Sequence, residues 1–167
     1  LAFPQITIGL FPDAGGRVVM RNLPPKMAAL LTRTGDQVNA TDALALGVGT
    51  HLIDHEGRAD FLEGLKQLNW QAGSQDTNTE VLQNYLATQT HVGGLPSSDV
   101  AEVDIETIDL SNLKACLDSI LALEGTSKWM DRGIANLRNG CPVTAGIIFK
   151  QLGLGPTLSL AECFMTE

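Results

Sequence analysis

Apolar residues recur at helical spacing through most of this chain, and the β-branched runs that a sheet requires are confined to its first third. After Glu56, Phe61, Leu65 and Leu68 fall on one helical face, and Val81, Leu82, Tyr85 and Leu86 fall on another. Leu113, Leu117, Ile120 and Leu121 mark a further helix. Trp129, Met130, Ile134 and Leu137 mark one that Gly140 terminates, and Pro142 opens another running to Leu152. Residues 157–167 carry a helical pattern as well. Such a chain has to bury helix against helix over most of its length.

The first third reads differently. Gln5-Ile6-Thr7-Ile8-Gly9-Leu10 is short and β-branched, with Pro4 before it and Phe11-Pro12-Asp13 after it, which predicts a strand. Asp13-Ala14-Gly15-Gly16 is then a tight loop that delivers the chain into a helix from Arg17. Pro24-Pro25 opens a second helix that Gly35 closes. Asn39, with Asp42 three residues on, caps a third that ends at Gly47 and Gly49. Thr50-His51-Leu52-Ile53 predicts a short strand. Residues 90–98 contain Gly93-Gly94 and Pro96 and form a linker. The acids Asp99, Glu102, Asp104, Glu106 and Asp109 follow with no base among them, a solvated acidic face. The expected division is a core segment at 1–55, a helical extension at 56–92, an acidic linker at 93–110 and a C-terminal helical region at 111–167.

With 167 residues, 44% of them hydrophobic, the chain is long enough to hold a core without disulfides or a metal. Cys116, Cys141 and Cys163 are an odd number with no C-x-x-C pair, the pattern of free thiols in a reducing compartment: the cytoplasm, or the mitochondrial matrix in a eukaryote. Eleven bases against 19 acids give a net charge of −8, which argues against nucleic acid and anionic membrane as partners. The longest uncharged stretch, residues 81–98, is interrupted by polar side chains and cannot cross a bilayer. The opening Leu1-Ala2-Phe3-Pro4 is no signal peptide and reads as the start of a chain taken up mid-protein.

Three strings narrow this mostly helical picture. They are Phe3-Pro4-Gln5-Ile6-Thr7-Ile8-Gly9-Leu10-Phe11-Pro12-Asp13-Ala14-Gly15-Gly16, Leu31-Thr32-Arg33-Thr34-Gly35 and Ala43-Leu44-Ala45-Leu46-Gly47-Val48. Together they resemble the crotonase (enoyl-CoA hydratase/isomerase) superfamily, and residues 9–16 look most like its 3-hydroxyisobutyryl-CoA hydrolase branch. Cys141-Pro142-Val143-Thr144 and Leu158-Ser159-Leu160-Ala161-Glu162-Cys163 are similar to that branch's C-terminal helices. The resemblance implies an α/β start, the end of a crotonase-like β-β-α spiral, followed by a mostly helical C-terminal region. It implies an acyl-CoA substrate, no cofactor beyond the CoA that the substrate carries, and association into homo-oligomers. It places the family's two oxyanion-binding N–H groups on chain preceding Leu1. Such donors are worth roughly 2.7–4 kcal/mol each, so a segment without them is expected to be a poor enzyme alone.

The same resemblance assigns the site to Gln5 and Asp13, as catalytic and substrate-binding residues. Where the family has Pro-Glu, this chain has Pro4-Gln5. An amide positions water but cannot take its proton or form an acyl anhydride. Asp13 matches the branch's second carboxylate, a partner for the substrate's 3-hydroxyl group or for water. Independently of the family, its place before Gly15-Gly16 at a helix start favours an ionised acceptor, and a plain N-cap is the alternative. Hydratase or isomerase chemistry, and a non-catalytic binding module, stay open beside hydrolysis. His51, His55 and His91 are scattered, and no serine or cysteine sits in a nucleophile pattern. Arg17, Arg21, Lys26 and Arg33 cluster within seventeen positions; a solvated helix face or a contact to CoA phosphates would explain them.

Overall fold

The computed structural model describes residues 1–13, 15–89, 93–154 and 158–166. Two compact units are present: residues 1–48 with 96–167, and residues 49–95.

In the first unit the chain begins with α1 (Gln5–Ile8), α2 (Gly16–Arg21), α3 (Pro25–Thr34) and α4 (Ala40–Ala45). The strand expected over residues 5–10 is therefore a helix. Pro4 has φ of −76°, already helical, and its carbonyl accepts both the Thr7 N–H and the Thr7 hydroxyl. Gly9, at φ 74°, closes the turn with its N–H on the Gln5 carbonyl. A proline at the entry and a left-handed glycine at the exit outvote three β-branched residues between them.

Helix α3 is the centre of the unit. Its residues from Met27 to Thr34 are all buried, so it has no solvent face beyond its first turn. Polar residues at its end survive burial by bonding to their own helix: Thr32 Oγ1 to the Ala28 carbonyl at 2.6 Å, Arg33 Nη1 to Ala29 at 3.0 Å, and Thr34 Oγ1 to Leu30 at 3.0 Å. In α4, Asn39 accepts the Asp42 N–H as expected of a cap. The buried Asp42 carboxylate then holds the returning chain through the Ser98 hydroxyl and the Asp99 N–H.

That returning chain makes two 3₁₀ turns, Val100–Glu102 and Ile105–Thr107. Its acids Glu102, Asp104, Glu106 and Asp109 face outward while Val103 and Ile108 are buried. Between α4 and these turns the chain forms two helices of the second unit: α5 (Arg58–Gln67) and α6 (Gln75–Thr88). Neither contains a buried residue. Phe61 stacks on Tyr85 at 5.5 Å, the Tyr85 hydroxyl donates to the Phe61 carbonyl, and Asn78 ties its side chain to Gln71. Gly64 sits under the Tyr85 hydroxyl, where a Cβ would approach it to 2.1 Å.

The first unit is completed by α7 (Leu113–Leu121), α8 (Lys128–Asn139), α9 (Pro142–Leu154) and α10 (Leu160–Thr166). Asn112 and Ser127 cap α7 and α8 through the N–H groups of Ala115 and Met130. Helices α8 and α9 pack on α3, burying Leu30, Leu31, Met130, Ile134 and Ile148. The Trp129 indole reaches the Gln37 carbonyl at 2.7 Å. Residues 50–53, the second expected strand, form no regular element, since no neighbouring strand is there to pair with them. Among the described residues there is no strand, so the α/β start gives way to helices.

Candidate active site

Gln5 occupies the first turn of α1, half-buried, and its side-chain Oε1 is buried with no hydrogen-bond partner. A buried unpaired amide oxygen costs about 1–3 kcal/mol, so this atom is a ready acceptor. Asp13 is exposed at the end of the segment that leads into α2. Its backbone carbonyl accepts the Gly16 N–H at 2.7 Å. The cap position of α2 belongs to Gly15, at φ 81°, a conformation that excludes most side chains. Positive charge at the N-terminus of α2 thus lies just beyond a carboxylate that is open to solvent.

A concavity lies elsewhere in the first unit. Its cavity of about 310 Å³ is walled by α2, α3 and α9 together with Leu110 and Ser111, and neither Gln5 nor Asp13 lines it. Arg17 and Arg33 do, and both are buried, at 2% and 0% exposure. Of the four clustered bases, Arg17 and Arg33 therefore do not belong to a solvated face, while Arg21 is exposed and Lys26 half-buried. Arg17 donates to the Gln151 carbonyl at 3.4 Å. Arg33 bonds its Nη1 to the Ala29 carbonyl and lies 5.6 Å from the centre of the Phe149 ring. Its Nε and Nη2 are buried without a partner. Burial pushes the guanidinium below its ordinary pKa, and the nearby Cys116 acts in the opposite direction. A clue to this burial was present in the sequence: α3 is apolar around its circumference from Met27 to Leu31, so whatever follows on the same helix is enclosed.

The remaining candidates stay apart. His51 is hydrogen-bonded to the hydroxyl of its neighbour Thr50 at 3.0 Å, and His91 lies outside the described residues. No disulfide joins the three cysteines; Cys141 at the start of α9 has its thiol pKa lowered by the Thr144 N–H and hydroxyl and the Val143 N–H. Among the described residues no group of three His, Cys, Asp or Glu could hold a metal ion. No helix among them is long and apolar enough to cross a membrane.

This helical arrangement is a known one. The structure of a carnitinyl-CoA dehydratase from Mycobacterium thermoresistibile superimposes with a TM-score of 0.71 at 18% identity, covering 96% of this chain and 44% of that one. The enoyl-CoA hydratase/isomerase family matches residues 1–167, and the chain belongs to that family. Among curated relatives, the mitochondrial 3-hydroxyisobutyryl-CoA hydrolase of Xenopus tropicalis is 27% identical over 99% of this chain and 43% of its own length. That of Dictyostelium discoideum is 26% identical over the same shares. The human enzyme of that name is 36% identical over 50% of this chain and 21% of its own. The chain thus spans less than half the length of the curated relatives it matches.

Proposed function

We propose that the protein acts on acyl-CoA thioesters and hydrolyses a short 3-hydroxyacyl-CoA such as 3-hydroxyisobutyryl-CoA. The observation that carries this is the match of nearly the whole chain to relatives named for that activity, through a segment that includes Gly9-Leu10-Phe11-Pro12-Asp13-Ala14-Gly15-Gly16. Water adds to the thioester carbonyl, the CoA thiol leaves, and a carboxylate remains. No cofactor is needed beyond the CoA of the substrate. Asp13, open to solvent ahead of α2, orients the 3-hydroxyl group or the water. Gln5 lines the site and offers its unpaired Oε1 to a donor on substrate or water. The protein works as a homo-oligomer, and cysteines without a disulfide suit the cytoplasm or a mitochondrial matrix.

Thioester hydrolysis by the whole protein tests these roles. Asp13→Asn should lower kcat/KM by about a hundredfold or more, and Gln5→Glu should raise kcat by restoring a base. Unchanged rates in both variants would remove the two residues from the mechanism. Gln5 itself favours a second reading, since an amide supplies no general base: a crotonase-fold module that binds acyl-CoA without turning it over, or one that hydrates or isomerises enoyl thioesters. Calorimetry with 3-hydroxyisobutyryl-CoA separates them, because tight binding without turnover supports the module.

A further inference from the structure

One buried residue of α9 bonds to both ends of the turn that carries Asp13. Gln151 is 7% exposed, and its side-chain Nε2 donates to the Pro12 carbonyl at 3.3 Å. From the far side of the turn, Arg17 Nη2 donates to the Gln151 backbone carbonyl at 3.4 Å. A carbonyl only accepts, so the bond to Pro12 fixes which end of the amide faces the turn, and Oε1 is left buried without a partner. Burial of an unpaired oxygen is unfavourable, so the side chain holds this pose for its donor and not for its acceptor.

Asp13 lies between the two anchors. Pro12 before it is buried, and a Cβ on Gly16 would come within 3.3 Å of Pro12 Cβ, so the start of α2 rests on the proline. The Asp13 carbonyl accepts the Gly16 N–H at 2.7 Å, which closes the turn locally. Local bonds set the shape of a turn; its direction relative to the rest of the unit needs a contact from elsewhere, and Gln151 supplies one from 139 residues further along the chain. We propose that Gln151 is a positioning residue for Asp13, acting through Pro12 and Arg17 to set where the carboxylate stands for the 3-hydroxyl group or the water. This rests on the hydrolase reading above. Misplacement of a reacting group by about 1 Å can lose on the order of a hundredfold in rate, so a bond of modest strength has a large effect when it sets direction.

A double-mutant cycle on the whole protein, with 3-hydroxyisobutyryl-CoA as substrate, tests it. Gln151→Met keeps the length of the side chain and removes the donor. It should lower kcat/KM about tenfold or more in the wild-type background and less than about twofold in Asp13→Asn, because the residue it acts through is already disabled. In the same variant without substrate, hydrogen exchange should be about tenfold faster at the Gly16 N–H and unchanged at Ile134 in α8. An equal loss in both backgrounds would make Gln151 merely structural and overturn the proposal, as would wild-type turnover in Gln151→Met or unaltered exchange at Gly16. A wild type that hydrolyses no thioester, or Asp13→Asn at the wild-type rate, is a different failure, which removes the hydrolase reading and this role with it. A slow Asp13→Asn beside an uncoupled Gln151→Met removes only the role of Gln151. Should Gln151→Met fail to fold, Gln151→Asn, whose amide is one methylene too short for Pro12, must show the same coupling to Asp13; its absence there would end the proposal.

Discussion

Arg33 and Asp36 stand three residues apart, both buried, and only the carboxylate has found an opposite charge. Asp36 Oδ1 accepts from Arg132 Nε at 2.7 Å, while Oδ2 has no partner. Burial raises the Asp36 pKa; the Arg132 bond and charge pull it back, Asp99 adds to the rise, and the Gln37 N–H opposes it, with the result still above the ordinary carboxyl value. A carboxyl group with a raised folded-state pKa binds protons more tightly in the folded chain. Its contribution to stability is therefore full below the unfolded value of about 3.9 and is lost as pH rises through the folded value. Asp36→Asn keeps an acceptor for Arg132 and has no such loss. Urea unfolding across this range should show the variant gaining on wild type as pH climbs, then holding a constant lead. A difference that is flat or shrinks with rising pH would mean that the ion pair outweighs burial. At this scale the sequence was least legible: a lone arginine or aspartate reads as surface unless the enclosing helix has no polar face, and α3 meets that condition.

Between elements of the first unit, the closest approach at a glycine falls on Gly133 of α8. A Cβ on Gly133 would lie 2.2 Å from Asp36 Oδ2 and 2.8 Å from Thr34 Cβ, so α8 rests on the end of α3 only because that side chain is missing. In contrast, a Cβ on Gly146 of α9 would meet Leu113 Cδ2 at 3.8 Å, an ordinary contact. Alanine should raise stability at Gly146 by about 0.5–1 kcal/mol through helix propensity. At Gly133 the same substitution should cost about 1–3 kcal/mol, because packing overrides that gain. Opposite signs in chemical denaturation are the expected outcome, and a stabilised Gly133→Ala would mean that α8 lies further from α3. Helices were the legible part of this chain, since Pro24-Pro25, Asn39, Asn112, Ser127, Gly35 and Gly140 mark their ends in letters whose physics is local. Beside the strand expected over residues 50–53, the other misread element was α1. Six residues are too few to separate a period of two from one of 3.6, and the decisive signal was the Pro4 and Gly9 bracket rather than Ile6, Thr7 and Ile8 within it. The motif from Phe3 to Gly16 named the family regardless, because letters can match a family where the local conformation has been misjudged.

For the molecule as a whole, the apolar residues left outside matter as much as those in the core. In the first unit Ile8 is 64% exposed, Leu10 52% and Val143 67%. They lie on adjoining segments, for the Cys141 N–H donates to the Ile6 carbonyl at 3.0 Å and the Gly9 backbone comes against the Cys141 side chain. Exposed single hydrophobics need no explanation, but several on adjoining segments of α1 and α9 present apolar area that water disfavours, by about 25 cal/mol for each Å² that association would remove. The net charge of −8 opposes association at long range, yet no charged side chain occurs between Leu1 and Asp13 or between Asn139 and Lys150 to keep copies apart at this junction. Light scattering of the protein at micromolar concentration should therefore return a multiple of the protomer mass. Ile8→Asp combined with Val143→Asp should bring that mass down to one protomer while leaving the helical circular dichroism intact, because neither side chain contributes to the core. A wild type that scatters as a monomer would show that the α1–α9 junction is not where copies meet.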